Sequence, residues 1–283
     1  MTTGQNDVAT TEHHAPPEAW GAIAAGYDRY VAPQEADLAS EALRLVGLKR
    51  DERFLDIAAG TGGLSLPAAR LGAQVLATDW SSTMIEHFET RVREEGLGQA
   101  EGRVMDCHAL DLPDDGFDVT GSQFGVMLVP DQPRALREMV RVTKPGGRVV
   151  VIAYGWPAEL EFLDIFISAL KAVHPEFPGL PDDPPPLEFQ VADPDVLQQR
   201  LVEAGLKDVR IERTAERPAF ASGKEMWDWV VNGNPIAPTI LADLSDDQRA
   251  RLRQVFDGIV RERAGANGRA VLNNVVNIGI GTK

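Results

Sequence analysis

The chain reads as an α/β protein: a seven-stranded, mostly parallel sheet with helices on both faces, an antiparallel final strand and a helical cap. Three observations predict it. Short, near-continuously apolar segments alternate with helical ones between residues 53 and 153, the pattern of parallel strands buried on both faces. A glycine-rich turn, Gly60-Thr61-Gly62-Gly63, joins the first strand to the helix that follows. The alternation lapses after Ala153, returns near Asp193 and lapses again over residues 218–264, so two insertions interrupt one core.

In order, residues 1–15 read as a disordered tail, whose adjacent His13 and His14 make no metal site by themselves. Residues 16–156 carry two N-terminal helices and the main ligand-binding core. Trp20, Ile23, Ala24 and Tyr27 repeat at helical spacing, and a second helix is expected over residues 33–46. Strands follow at residues 53–58, 74–78, 102–105, 117–123 and 148–153, the last after the turn Lys144-Pro145-Gly146-Gly147. The helices between them begin at the glycine turn, at Ser81-Ser82-Thr83-Met84, where hydroxyls can cap, and at Pro133. A cap insertion (157–192) holds an apolar helix over 160–173 and a proline-rich loop. The core resumes at 193–217 with a helix and a strand near 209–215. A second cap insertion (218–264) holds Trp227, Trp229 and a helix over 246–263. Residues 265–283 close the core with a final strand over 271–280.

Composition narrows the function classes. The 283 residues are 43% hydrophobic and 25% charged, ordinary for a chain that buries a core. A net charge of −15 disfavours binding to phosphate backbones, and no stretch has the roughly 18 apolar residues of a membrane span. A cytoplasmic location follows by default. The single cysteine, Cys107, excludes internal disulfides and argues against a zinc site built on cysteines, so no metal is expected. The partners expected are a small-molecule acceptor, with no nucleic acid and no membrane; a homodimer is one option for assembly.

Right-handed crossovers bring the C-terminal ends of parallel strands to one edge, so Gly60, Asp79, Asp106 and Gln123 converge on one cleft. A glycine turn there serves two cofactor classes. A dinucleotide needs G-x-G-x-x-G to seat its pyrophosphate, and here Ser65 stands where the third glycine should fall. S-adenosylmethionine has no phosphate. Asp56, just before the turn, would repel a pyrophosphate but suits the ammonium group of a methionine tail.

The run Phe54-Leu55-Asp56-Ile57-Ala58-Ala59-Gly60-Thr61-Gly62 resembles the first motif of class I S-adenosylmethionine-dependent methyltransferases, in particular the ubiquinone/menaquinone-biosynthesis type that acts on small molecules. The resemblance continues in Ala77-Thr78-Asp79-Trp80-Ser81, Met105-Asp106-Cys107-His108-Ala109-Leu110, Phe117-Asp118-Val119 and Lys144-Pro145-Gly146-Gly147. It covers residues 20–155, and more faintly Ala204 to Val209. It implies a Rossmann-like fold and S-adenosylmethionine as cofactor. One departure stands out: Ala58 replaces a glycine of the family, and its methyl group faces the methionine portion but is small enough to be accommodated.

The resemblance also implies roles. Asp79 would accept the ribose hydroxyls, the lesser alternative being a helix cap. Trp80, with Met84 close by, would pack on adenine, or in the core. Asp106 would accept from the adenine amine and Cys107 would donate its backbone N–H, though an aspartate here can simply make a turn. Ala58, Gly60, Thr61 and Gly62 would line the methionine portion. Tyr27 would fold over the cofactor, or pack in the core. Gln123 and Phe124 would sit beside the methyl group, and Trp156 would wall the acceptor pocket. His174, the only histidine of the cap, is a candidate for that pocket, against a surface or structural role; no catalytic residue is assigned. The cap aromatics Phe162, Phe166, Phe177, Phe220, Trp227 and Trp229 divide between core and an apolar chamber for a small, greasy or aromatic acceptor. Two alternatives remain open: a non-methylating enzyme that binds the same cofactor, and a noncatalytic binding protein.

Overall fold

The computed structural model describes residues 15–265 and 268–283, so the expected tail with His13 and His14 lies outside the described residues apart from Ala15. Nine strands are described: β1 (Arg53–Ile57), β2 (Gln74–Asp79), β3 (Ala100–Val104), β4 (Phe117–Gln123), β5 (Thr143–Tyr154), β6 (Lys207–Glu216), β7 (Ala219–Phe220), β8 (Ala270–Val271) and β9 (Asn274–Thr282). Seven of them form one sheet in the order β3-β2-β1-β4-β5-β9-β6. β9 is antiparallel to both neighbours, while β1 pairs in parallel with β2 and with β4. The chain therefore winds outward in one direction from β1 and then in the other from β4. The cleft between the C-terminal ends of those two strands is where a doubly wound sheet accepts a ligand.

The helices are α1 (Pro17–Gly26), α2 (Ala36–Val46), α3 (Ser65–Arg70), α4 (Ser82–Glu95), α5 (Gln132–Val142), α6 (Glu161–Val173), α7 (Pro194–Glu203), α8 (Gly223–Gly233), α9 (Ile236–Ala242) and α10 (Asp246–Arg263). Their starts follow local chemistry. Ser81, Asp131, Asp193 and Ser222 each accept a backbone N–H of the first turn of α4, α5, α7 and α8, and Ser245 with Gln248 closes a capping box on α10. None of the described helices is long and apolar enough to cross a membrane.

Two large hydrophobic cores result, with three smaller clusters beside them among the described residues. The first holds the sheet, with Phe54, Leu55 and Ile57 of β1 fully buried against Val119 of β4 and Val149 to Ile152 of β5. The second joins α6, α8, α9 and α10 through Phe166, Leu170, Trp229, Leu252 and Phe256, and takes in Val31 from the turn after α1. The π-helical turn Tyr27–Val31 thus ties the N-terminal segment to the cap.

Several boundaries differ from the sequence reading. β3 begins at Ala100 and ends before Met105, because its residues are mostly exposed at the sheet edge and apolarity does not mark them. The expected strand over 271–280 is two pieces: Ala270–Val271 pairs with β7, and the sheet strand starts at Asn274 and runs to Thr282. β5 starts at Thr143, five residues earlier than expected, with a shift of register between Thr143 and Arg148 that absorbs the glycine turn. α2 starts at Ala36, because Pro33 sits in a separate 3-10 turn. α8 and α9 were not anticipated.

Candidate active site

The C-terminal ends of β1, β2, β4 and β5 open into one long cavity roofed by α1, α6, α8 and α9. One half is the glycine turn with its acidic neighbours. Asp56 is fully buried at the end of β1. Ser65 Oγ donates to its Oδ2 at 2.6 Å, while its Oδ1 is buried without a partner. Burial pushes the Asp56 carboxyl up to about 7, against the pull of Ser65. Gly60 has a left-handed backbone (φ 55°), and apart from Gly60 and its two chain neighbours no atom of the described residues lies within 4 Å of where a Cβ would stand. Its N–H donates to Asp79 Oδ2 and the Ser81 N–H to Asp79 Oδ1, each at 2.9 Å, which aims that carboxylate into the cavity. Burial raises the Asp79 pKa, against these N–H donors.

Farther along the edge lie Trp80, Met84, Met105, Asp106, Cys107 and His108. The His108 N–H donates to Asp106 Oδ1 at 2.9 Å and its Nδ1 is 2.7 Å from the same oxygen. Partial burial pushes the Asp106 carboxyl up, but the two His108 contacts, with Arg134, bring it below the ordinary value. Burial, then the charges of Asp106 and Asp79, push the Cys107 thiol up to about 12, so it stays protonated and is no nucleophile. Asp106, Cys107 and His108 offer ligand atoms within 4.8 Å of one another.

The other half is aromatic. Phe124, left-handed at φ 57°, stacks on Tyr154 (centroids 4.6 Å apart); Tyr154 meets Phe162 at 5.6 Å and Phe162 meets Trp229 edge-on at 5.4 Å. Between the halves sits Glu35, only 4% exposed. Tyr27 Oη donates to its Oε1 at 3.0 Å and Gln123 Nε2 to its Oε2 at 3.2 Å. Burial pushes the Glu35 carboxyl up to about 7, against those two donors. Behind it, Glu216 accepts from Asn274 Nδ2 at 3.2 Å and is pushed up to about 8 by burial and then by the charge of Glu35.

The cavity wall therefore brings together Tyr27, Asp56, Ala58, Gly60, Asp79, Trp80, Met84, Asp106, Cys107, Gln123 and Phe124 of the residues singled out from sequence. It leaves out four. Thr61 is buried behind the turn (1% exposed) with Oγ1 unpaired, and Gly62 faces Phe88, 2.4 Å from where a Cβ would be. Trp156 is 44% exposed, because the chain turns away at Gly155 into a 3-10 turn. His174 caps the far end of α6. Of the cap aromatics, Phe162, Phe166 and Trp229 reach the cavity, whereas Phe220 is core, Trp227 packs on Phe256, and Phe177 is packed against the cap core. Glu35, Tyr154, Glu188 and Phe189 line the wall and were missed. Tyr154 ends a strand at the same edge as Asp79 and Gln123, a signal that was available; Glu35 carries no motif.

Among the described residues no lysine or arginine lines this cavity, while Glu35, Asp56, Asp79, Asp106 and Glu188 do. A diphosphate would meet only repulsion. A nucleoside joined to a cationic amino-acid tail fits: Asp56 Oδ1 lacks a donor, and Gly60 leaves room for a close approach. Strand order and groove together define a class I methyltransferase architecture.

Comparison with known proteins agrees. The methyltransferase-domain family matches residues 55–151. A demethylmenaquinone methyltransferase of Renibacterium salmoninarum is 31% identical over 191 residues, spanning 63% of this chain and 78% of that one. The chain belongs to the class I S-adenosylmethionine-dependent methyltransferase family. An uncharacterized protein of Mycobacterium tuberculosis is 37% identical over 140 residues, half of this chain; the match spans about half (48%) of that relative. The YcgJ protein of Bacillus subtilis shares the fold at 18% identity, with a TM-score of 0.56 over 87% of this chain and 97% of that one.

Proposed function

We propose that the protein moves a methyl group from S-adenosylmethionine to a small apolar or aromatic molecule by in-line displacement. The observation that carries this reading is a single cavity in which a phosphate-excluding, carboxylate-lined groove opens directly into an aromatic chamber. Asp56 holds the ammonium group of the methionine tail, and Gly60 lets the tail lie against the backbone. Asp79 accepts the ribose hydroxyls with the lone pairs that its two backbone donors leave free. Asp106, the Cys107 N–H, Trp80 and Met84 frame the adenine. Tyr27 closes over the methionine end, fixed by its bond to Glu35.

The sulfonium supplies an already activated methyl group, so the chain's task is placement. Gln123 and Phe124, at the end of β4, stand where the groove meets the chamber. An acceptor held against Phe124, Tyr154 and Phe162 is kept in line with the methyl–sulfur bond, and the roof helices exclude water. The acceptor is a small molecule rather than a nucleic acid, in keeping with the net charge of −15.

Incubation with labelled S-adenosylmethionine and a metabolite extract tests this: one compound should gain the label as S-adenosylhomocysteine accumulates. Cofactor binding with a transformed substrate but no S-adenosylhomocysteine would instead mark a non-methylating enzyme. Binding without turnover of any compound would mark a sensor. Heat on titrating NADH but none with S-adenosylhomocysteine would overturn all three.

A further inference from the structure

We propose that the methyl acceptor is an amine, its nitrogen placed between Glu35 and Gln123 and its apolar body lying against Phe124, Tyr154, Phe162 and Trp229. This rests on the methyltransferase reading above and narrows the substrate class of the same site.

The first argument is the charge of the wall. The chamber and groove present carboxyl groups and, among the described residues, no lysine or arginine. An acceptor with a carboxylate or phosphate finds no lysine or arginine there to neutralise it. A phenol or a carbon acid becomes anionic before it attacks, and an anion beside Glu35 would be unpaired in a buried site. An amine avoids that difficulty, because it attacks as a neutral molecule.

The second argument is unmet hydrogen bonding. Gln123 turns its Nε2 to Glu35 at 3.2 Å, which leaves Gln123 Oε1 buried in the cavity wall without a donor. Glu35 keeps free lone pairs beside the donors from Tyr27 and Gln123. Two acceptors thus stand side by side and call for hydrogen-bond donors, of which an ammonium group carries up to three. They stand at the right place: Glu35 Oε2 is 3.4 Å, and Gln123 Nε2 3.7 Å, from where a Cβ on Gly63 of the glycine turn would lie. Trp229 Nε1 is buried without a partner deeper in the chamber, so a neutral oxygen elsewhere on the same molecule is accommodated.

The third argument is charge conservation along the reaction. The acceptor enters as an ammonium ion and passes one proton to the Glu35 carboxylate. The freed lone pair forms the new carbon–nitrogen bond while the carbon–sulfur bond breaks and its electron pair stays on sulfur. A positive charge leaves sulfur and appears on nitrogen, so it remains within a wall of carboxylates and aromatic faces that favour cations at both ends of the step. Glu35, which burial holds near neutral pH, can both take up and return that proton.

Calorimetric titration of the protein saturated with S-adenosylhomocysteine tests the proposal, with phenethylamine, phenethyl alcohol and phenylacetate as probes. The amine should bind about tenfold or more tightly than the alcohol, and phenylacetate should give no heat. In Glu35→Gln the advantage of the amine over the alcohol should shrink to about threefold or less, with S-adenosylhomocysteine affinity showing that the site is formed. An alcohol or phenylacetate that binds as well as the amine, an amine that gives no heat, or a folded Glu35→Gln that keeps the full preference overturns it. Should the variant not fold, the ranking of the three probes on the unaltered protein decides alone. Failure of S-adenosylhomocysteine itself to bind would instead bring down the methyltransferase reading.

Discussion

Replacing Asp56 by asparagine separates the two consequences of burying a carboxyl group without a counter-ion. In the unfolded chain this group ionises near 3.8; in the folded protein burial holds the proton to about 7. Between those values the native state carries the extra proton. Stability of the ligand-free protein therefore falls as pH rises through that window, and is flat above it. At about 1.4 kcal/mol per pH unit, the loss between about pH 5 and pH 8 is on the order of 3 kcal/mol. Asp56→Asn cannot ionise, so this component of the pH dependence should vanish. The variant should gain about 3 kcal/mol relative to the unaltered protein on going from about pH 5 to pH 8, whatever offset the new amide introduces at both. Ligand binding should change the other way. With Ser65 Oγ donating to the remaining oxygen, the amide would turn N–H groups toward an ammonium ion and forfeit a charge-assisted bond. S-adenosylhomocysteine affinity should drop about 10- to 100-fold. Denaturant melts at the two pH values and calorimetry with S-adenosylhomocysteine measure both. A variant whose stability tracks the unaltered protein across pH, or that binds S-adenosylhomocysteine within about twofold of it, refutes the reasoning.

Three further outcomes follow. Ala58→Gly should raise stability by about 0.5–1 kcal/mol in a thermal melt, because Ala58 is held at φ 53°, a left-handed conformation costly for a residue with a side chain. Gly62→Ala should cost more than about 2 kcal/mol and lower the melting temperature, since at φ 96° its Cβ would lie 2.4 Å from the fully buried Phe88 ring. Trp156→Ala and His174→Ala should leave S-adenosylhomocysteine affinity within about twofold by calorimetry, since neither side chain reaches the cavity.

The parallel core was legible because its strands are buried on both faces. An apolar run between a helix and a glycine or aspartate states a strand and its C-terminal end together, and those ends are where the site lies. β1 and β2, which run into Gly60 and Asp79, were legible for this reason, and β4 was read to the residue from its own run. Where a strand lies at an edge, as β3 does with Val104 more than half exposed, the apolar signal fades and the boundary drifts. The cap was harder. α8 and α9 pack into a core assembled from segments far apart in sequence, so which aromatic faces the cavity depends on packing that no local pattern encodes. Trp227 and Trp229 lie on one helix two residues apart. One packs against Phe256 and the other faces the chamber, a difference set by helix rotation and invisible in composition.

Glu35 shows why a buried acid escapes sequence reading and still organises the site. It precedes α2 as a cap residue without any side-chain capping bond, the position of an ordinary helix start. Its environment comes from three separate places: Tyr27 eight residues earlier, Gln123 from the end of β4, and Glu216 at the end of β6. Burying a carboxyl group is costly unless it is paired or kept protonated, and here it has hydrogen-bond donors but no cation among the described residues. Above about pH 7 the unliganded site therefore carries an unfavourable ionisation, which a proton or an arriving positive charge relieves. Asp56 does the same at the other end of the groove. On the proposed reading, two such positions flanking one cavity favour a donor and an acceptor that both bring positive charge. Among the described residues no lysine or arginine lines the wall to offset them.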